Sequence, residues 1–299
     1  MPSVRLALLA ALTVVTAVFA VLWIADLLKG RRDGSDFGGQ KVRWPTAVEY
    51  AIGGVTDFFD TLGIGSFAPT TSLFKLLRVT PDECIPGTLN VGHTLPTFLE
   101  AVIFISIVRM EGKTLALMIL ASVVGAWFGA GVVSSLPRRK IQVGMGVALL
   151  AAAVFFLMSN LGLFPSGGAA LGLSGGRLAV ALVVNLVLGA LMTLGIGSYA
   201  PSMILVSLLG MSPTTAFPVM MGSCAFLMPA ACVRFIGKRR YSPGPALGLT
   251  LGGLPAVLVA AYLVKSLPLA AVRWLVIAVV LYTAVAMLRS ARADAASAR

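Results

Sequence analysis

Residues 61–81 read TLGIGSFAPTTSLFKLLRVTP, and residues 193–213 read TLGIGSYAPSMILVSLLGMSP. The offset is 132 residues with no gap, and 12 of the 21 positions are identical. Self-similarity at a fixed spacing is the strongest fold signal a single sequence can carry. The match continues more faintly. Pro86 aligns with Pro218, and Ser135-Leu136-Pro137 aligns with Ser266-Leu267-Pro268 after a one-residue slip. The chain therefore divides into an N-terminal segment (1–45), a first repeat (46–159), a linker (160–177), a second repeat (178–290) and a C-terminal tail (291–299).

Each copy is written in apolar runs of the same order. The first has 46–64, 67–78, 84–108, 114–135 and 141–158; the second has 178–196, 199–209, 214–236, 246–264 and 270–288. Most run to about 20 residues, enough to cross roughly 30 Å of hydrocarbon as a helix. The chain is 58% hydrophobic and only 11% charged, with a mean hydropathy of +0.97. A soluble domain carries about 25% charged residues, so the bilayer is the expected solvent. Leu6–Leu28 adds one more run before the repeats. It is too long for a signal-peptide core, and Lys29, Arg31 and Arg32 stand where a cleavage site belongs, so a retained span is expected.

The second run of each copy is too short to span, and Gly-Ile-Gly-Ser precedes it. Two glycines with a proline three or four residues on interrupt a helix. Residues 46–78 are then either one long broken span or a re-entrant hairpin with the glycines at its tip, and 178–209 likewise. Basic residues bear on the choice. With hairpins, Lys29, Arg31, Arg32, Lys41, Arg43, Lys75, Arg78, Arg138, Arg139, Lys140, Lys238, Arg239, Arg240, Arg289, Arg292 and Arg299 lie on one side, 16 against five on the other (Arg5, Arg109, Lys113, Arg177 and Lys265). Single spans give 14 against seven. The hairpin reading fits better. It gives an all-α polytopic bundle of two inverted-topology repeats, each a hairpin plus three spans, and one extra N-terminal span. The expected setting is a cell inner (plasma) membrane, with the C-terminus cytoplasmic and the N-terminus outside.

Paired breaks in inverted repeats mark substrate sites in transporters. The breaks here are Gly63, Gly65, Ser66 and Pro69, matched by Gly195, Gly197, Ser198 and Pro201. Each frees backbone N–H groups at the start of a half-helix, and those groups with the helix dipole favour an anion. The competing reading is that glycine and proline only permit close packing or kinks.

The doubled short segments, broken by glycine and proline and each followed by threonine/serine-proline and a further proline, resemble the TauE/SafE sulfite-exporter family of permeases. The resemblance covers nearly the whole chain after the first span. It implies transport of small sulfur-containing anions such as sulfite or organosulfonates, with proton-coupled export a further implication. The N-terminal span and the charged loop 29–45 lie outside it.

Ionisable residues in apolar runs are functional candidates by default. Asp57 and Asp60 lie just before the first break, where the second copy has Gly189 and Met192. Asn90, His93 and Glu100 fall on the 84–108 run at spacings that place them on one stripe. Asp57, Asp60, His93 and Glu100 are candidates for proton coupling, and Asn90 for substrate binding. Arg234 is expected to snorkel toward its helix end. Structural roles in hydrogen bonding compete for each.

Cys84, Cys224 and Cys232 form no CxxC pair and no metal-ligand spacing, and are expected as buried small apolar residues. No GxSxG, HExxH or P-loop is present. Neither an intramembrane enzyme nor an ATP-driven pump is expected, and no cofactor or metal is called for. The net charge of +12 sits in clusters between apolar runs, so the expected partners are a small anion and the bilayer, with no nucleic acid. An anion channel and a membrane assembly factor remain as alternatives.

Overall fold

The computed structural model describes residues 2–34, 36–37, 40–195, 197–263 and 269–297. Among them the regular elements are helical: α1 (Pro2–Asp33), α2 (Ala47–Thr61), α3 (Phe67–Leu77), α4 (Ile85–Ile107), α5 (Gly112–Val133), α6 (Arg138–Asn160), α7 (Gly175–Met192), α8 (Tyr199–Leu208), α9 (Ala216–Gly237), α10 (Pro243–Leu263) and α11 (Leu269–Ser297). Single 3₁₀ turns at Asp82–Cys84 and Pro213–Thr215 lead into α4 and α9. The element order of the first copy, α2 to α6, returns in the second as α7 to α11, 3₁₀ turns included. The protein is an all-α polytopic membrane protein.

Among the described residues, seven helices are long and apolar enough to cross a membrane by length and composition alone, in α1, α4, α5, α6, α7, α9 and α10. The expected number was also seven, but with 270–288 and without 178–196. At 18 residues α7 reaches the length of a span. α11 runs on to Ser297, because the segment after Ser290 is rich in alanine, the best helix former. The Ser266-Leu267-Pro268 part of the repeat lies outside the described residues.

Helix directions follow from side-by-side contacts. On α2 and α10, Glu49 meets Gly248, Tyr50 meets Gly252 and Asp57 meets Gly253, so these two run parallel. On α5 and α7, Ser122 meets Gly189 and Gly129 meets Ala190, which is parallel again. α4 and α9 are antiparallel, with Thr94 beside Cys232, Gly87 beside Phe235, and Ile105 beside Gly222. Together with α6 against α11 and α5 against α9, these packings make the main frame. A Cβ on Gly125 or Gly189 would collide with the carbonyl of Leu186 or Ser122. Such backbone-to-backbone approach is how helices associate in lipid, where no hydrophobic drive separates helix from solvent.

The hairpins open to opposite ends. Before α2, Gln40 Nε2 donates to Val79 O, after α3. The first hairpin therefore enters and leaves at one end, which also holds the Arg138 contacts to Asp82 and Glu83 and the Lys238–Ser135 hydrogen bond. Before α7, Ala170 O accepts from Ser212 N, after α8, at 2.9 Å. Glu111 N donates to Leu171 O there, so the linker 160–177 is tied to the α4–α5 turn at the other end. The clusters at 29–43, 75–78, 138–140, 238–240 and 289–292 gather at the first of these ends, called the basic end below.

Candidate functional site

α2 is launched by a capping box. Thr46 N donates to Glu49 Oε2 at 2.7 Å, and Glu49 N donates to Thr46 Oγ1 at 3.4 Å. Arg43 then bonds both carboxylate oxygens of Glu49 at 2.9 and 2.5 Å, and that hydrogen bond holds its guanidinium further into its charged range. The residues buried on α2 are Glu49, Ile52, Gly53, Thr56, Asp57, Asp60 and Thr61. That is one helical face at the 3.6-residue period. Asp57 and Asp60 therefore point inward because they fall on the stripe that packs against α10 and α4.

The break itself is a C-terminal glycine turn. Gly63 N donates to Asp60 O at 2.8 Å and Ile64 N to Phe59 O at 3.0 Å, with Gly63 at φ 87°, a Schellman closure. Gly65 follows at φ 90°. The second copy uses tighter bonds, Leu194 N to Leu191 O and Gly195 N to Met192 O, with Gly195 at φ 96°. The prolines do not make the breaks. Pro69 and Pro201 are the third residues of α3 and α8, in the first turn, where a missing N–H costs nothing.

The two tips meet. Gly65 and Ser66 from the first hairpin and Gly197 and Ser198 from the second line one cavity of about 20 Å³, the scale of a single water. Asp60 joins them, as does Thr97 of α4. Much of the remaining lining is sulfur-rich: Met192, Met220, Met221, Met228 and Cys224. Cys224 Sγ lies 3.2 Å from Ser198 Oγ and 3.3 Å from Met192 Sδ. Gly63, Pro69, Gly195, Pro201 and Asn90 are not in this lining.

Two buried polar pairs brace the first tip. His93 Nδ1 is 2.6 Å from Asp57 Oδ1 and its Nε2 is 3.1 Å from Thr70 Oγ1, so one imidazole ties α2, α3 and α4 together. Glu100 Oε1 accepts from Thr61 Oγ1 at 2.7 Å. The Ser66 hydroxyl, expected to serve a ligand, donates to Asp60 Oδ2 at 2.6 Å. Asp57 Oδ2 and Glu100 Oε2 are buried without a hydrogen-bond partner. Asn90 is buried on α4 as His93 and Glu100 are; its Nδ2 donates to Pro86 O one turn back within its own helix, and its Oδ1 has no hydrogen-bond partner. Arg234 stacks on the Trp127 ring, 4.2 Å from its centroid, away from the cavity.

The contributions of Thr61, Thr70, Thr97, Cys224 and the four methionines were not read from the sequence. Methionine in an apolar run looks like core filling, and a threonine there looks like local back-bonding. For Cys224 the expectation of a free, buried thiol holds, and the cavity wall is an addition to it. Among the described residues no group of three or more His, Cys, Asp or Glu could hold a metal.

One family description, Sulfite exporter TauE/SafE, matches residues 2–156, just over half of the chain. The match begins with α1, so the N-terminal helix lies inside the family region, where the resemblance had left it out. It ends near the close of the first repeat. No curated protein and no solved structure matches the chain. The doubled hairpin, the polytopic helical fold and this match agree, and the chain belongs to the sulfite exporter TauE/SafE family of membrane transport proteins.

Proposed function

We propose that this protein is a secondary transporter of a small sulfur oxyanion, sulfite or an organosulfonate, bound between the two hairpin tips and coupled to protons. One observation carries the reading: glycine and serine from both repeats, 132 residues apart in sequence, line the same cavity with Asp60. The tip glycines leave the backbone bare, and the N–H groups opening α3 and α8 supply donors and positive dipole ends for oxygens. The antiparallel α4–α9 pair and the oppositely opening hairpins support an inverted repeat, in which rocking of one unit against the other exposes a midplane site to each side in turn. The basic end is the cytoplasmic one by the positive-inside rule, which puts the N-terminus outside in a cell inner membrane.

The cavity is too small for an oxyanion in this conformation. Transport therefore requires the tips to part, and Gly63 and Gly65 are the residues whose backbone can rotate. Asp60 is the coupling group on this reading, because among the acids only it lines the cavity. A negative substrate beside Asp60 and a proton on Asp60 favour one another, and the linkage is reciprocal. Ser66, bonded to Asp60, is then a gate. When Asp60 takes a proton, it no longer holds that hydroxyl as an anionic acceptor, and Ser66 is released toward the substrate.

The test is sulfite efflux from proteoliposomes under imposed pH gradients. The account predicts flux that reverses with the gradient and accumulation against a sulfite gradient. Passive flux indifferent to pH would identify a channel instead, and no flux of any sulfur oxyanion would remove the transport reading.

A further inference from the structure

At the basic end, α3, the start of α6 and the distal part of α11 enclose a second cavity of about 670 Å³. Lys75, Arg78 and Arg138 line it, with Thr80 and Ser290 adding hydroxyls. Two adjacent acids, Asp82 and Glu83, set its electrostatics. Asp82 Oδ2 accepts from Lys75 Nζ at 2.6 Å and from Gln142 Nε2 at 2.8 Å, with Arg138 Nη2 3.7 Å away. Glu83 Oε2 lies 3.9 Å from Arg138 Nε. Three cations thus face two carboxylates, and among the described residues Arg78 has no ion-pair partner.

Arg78 also sits where the backbone disfavours it. It ends α3 at φ 53°, in the left-handed region. The position 132 residues on is Gly210, at φ 81°. Both close the same turn, Val79 N donating to Phe74 O and Met211 N to Val206 O. Glycine adopts this conformation freely and an L-residue does so at a cost. The first copy therefore bears strain to place an arginine where the second has glycine, the mark of a side chain held for what it contacts. Arg239 shares the conformation at φ 51°, but its guanidinium lies over the Phe37 ring and outside this cavity.

The cavity borders apolar surface. Leu76, Leu77 and Tyr282 are 41%, 55% and 64% exposed. A free anion would use the charges and gain nothing from this margin. A ligand with an anionic head and an apolar body uses both. Basic recesses between membrane helices at the cytoplasmic level suit anionic lipid headgroups. We infer that this cavity is a headgroup site for an anionic phospholipid, with Arg78 as its principal contact. The inference is independent of which anion the protein transports.

The experiment compares the purified protein in phosphatidylglycerol and in phosphatidylcholine, by native mass spectrometry and thermal unfolding. The parent should retain phosphatidylglycerol and unfold at higher temperature with it, since a ligand of the folded state stabilises by mass action. Arg78→Gly relieves backbone strain, so it should fold. It should lower phosphatidylglycerol affinity about fivefold, the effect of one cation beside an anionic headgroup. Arg239→Gly should keep the parent's preference. Unchanged retention in Arg78→Gly would overturn the site. Equal stabilisation of the detergent-solubilised protein by inorganic phosphate, lost in Arg78→Gly, would make it a free-anion site and overturn the lipid assignment.

Discussion

His93 Nδ1 lies 2.6 Å from Asp57 Oδ1, and neither side chain reaches the protein surface (0% and 1% exposed). The pair joins α4 to α2 just behind the first hairpin tip, and Thr70 on the other ring nitrogen extends it to α3. Removing one partner strands the other in the interior. His93→Ala should therefore cost about 3–5 kcal/mol, the range for breaking a buried pair. A double-mutant cycle with Asp57→Asn, read by thermal unfolding in detergent, should show coupling of about 1–3 kcal/mol. Additive effects would mean that the pair does not brace the hairpin.

Asp60 and Asp57 should separate functionally, since only Asp60 lines the tip cavity. Asp60→Asn keeps the shape and cannot titrate. In proteoliposomes it should still exchange sulfite across the membrane and should lose accumulation driven by a pH gradient. A pH response like the parent's would move the coupling role to the His93–Asp57 pair.

The glycines should fall into two classes. A Cβ at Gly189 would run into the Ser122 carbonyl, whereas one at Gly65 or Gly197 meets nothing within 4 Å. Gly189→Val should abolish folded protein, read by size-exclusion profile and yield. Gly197→Ala should leave it folded. Gly65→Ala should fold with a loss of about 1–2 kcal/mol, because φ 90° is disfavoured for any L-residue. Equal yields for Gly189→Val and Gly197→Ala would refute the packing assigned to α5 and α7.

Side of exposure can be read by thiol labelling. A single cysteine placed at 139 should resist impermeant reagents in intact cells, and one placed at 171, in the α6–α7 linker, should react. Labelling of 139 from outside would overturn the orientation, and labelling of both would overturn the hairpins opening to opposite ends.

The architecture was legible because it is written twice. The two GIGS segments placed both tips, and their fixed offset predicted that the helix order of α2 to α6 returns in α7 to α11. The short run after each GIGS could not span, and the Gln40–Val79 bond shows the chain returning to its own end. Side-chain partners were less legible. His93 finds Asp57 across 36 residues and Glu100 finds Thr61 across 39, and a sequence gives no register between α2 and α4. Asn90 and His93 shared a predicted face, yet Asn90 turned to its own backbone, a local bond that always competes in helices. The sulfur wall was hidden for a different reason: methionine has the same signature whether it fills a core or faces a cavity. Arg78 was counted as a topological charge, and only its backbone angle beside Gly210 set it apart.

The central claim is that both tips form a single anion site. The direct measurement is sulfite binding to the purified protein by calorimetry, for the parent, Gly65→Val and Gly197→Val, each first shown to be folded. The account predicts a single site per chain in the parent and at least a roughly tenfold loss of affinity in each variant, since a bulky side chain at either tip bars the oxyanion from the backbone N–H groups. Parent-like binding by either folded variant would contradict it.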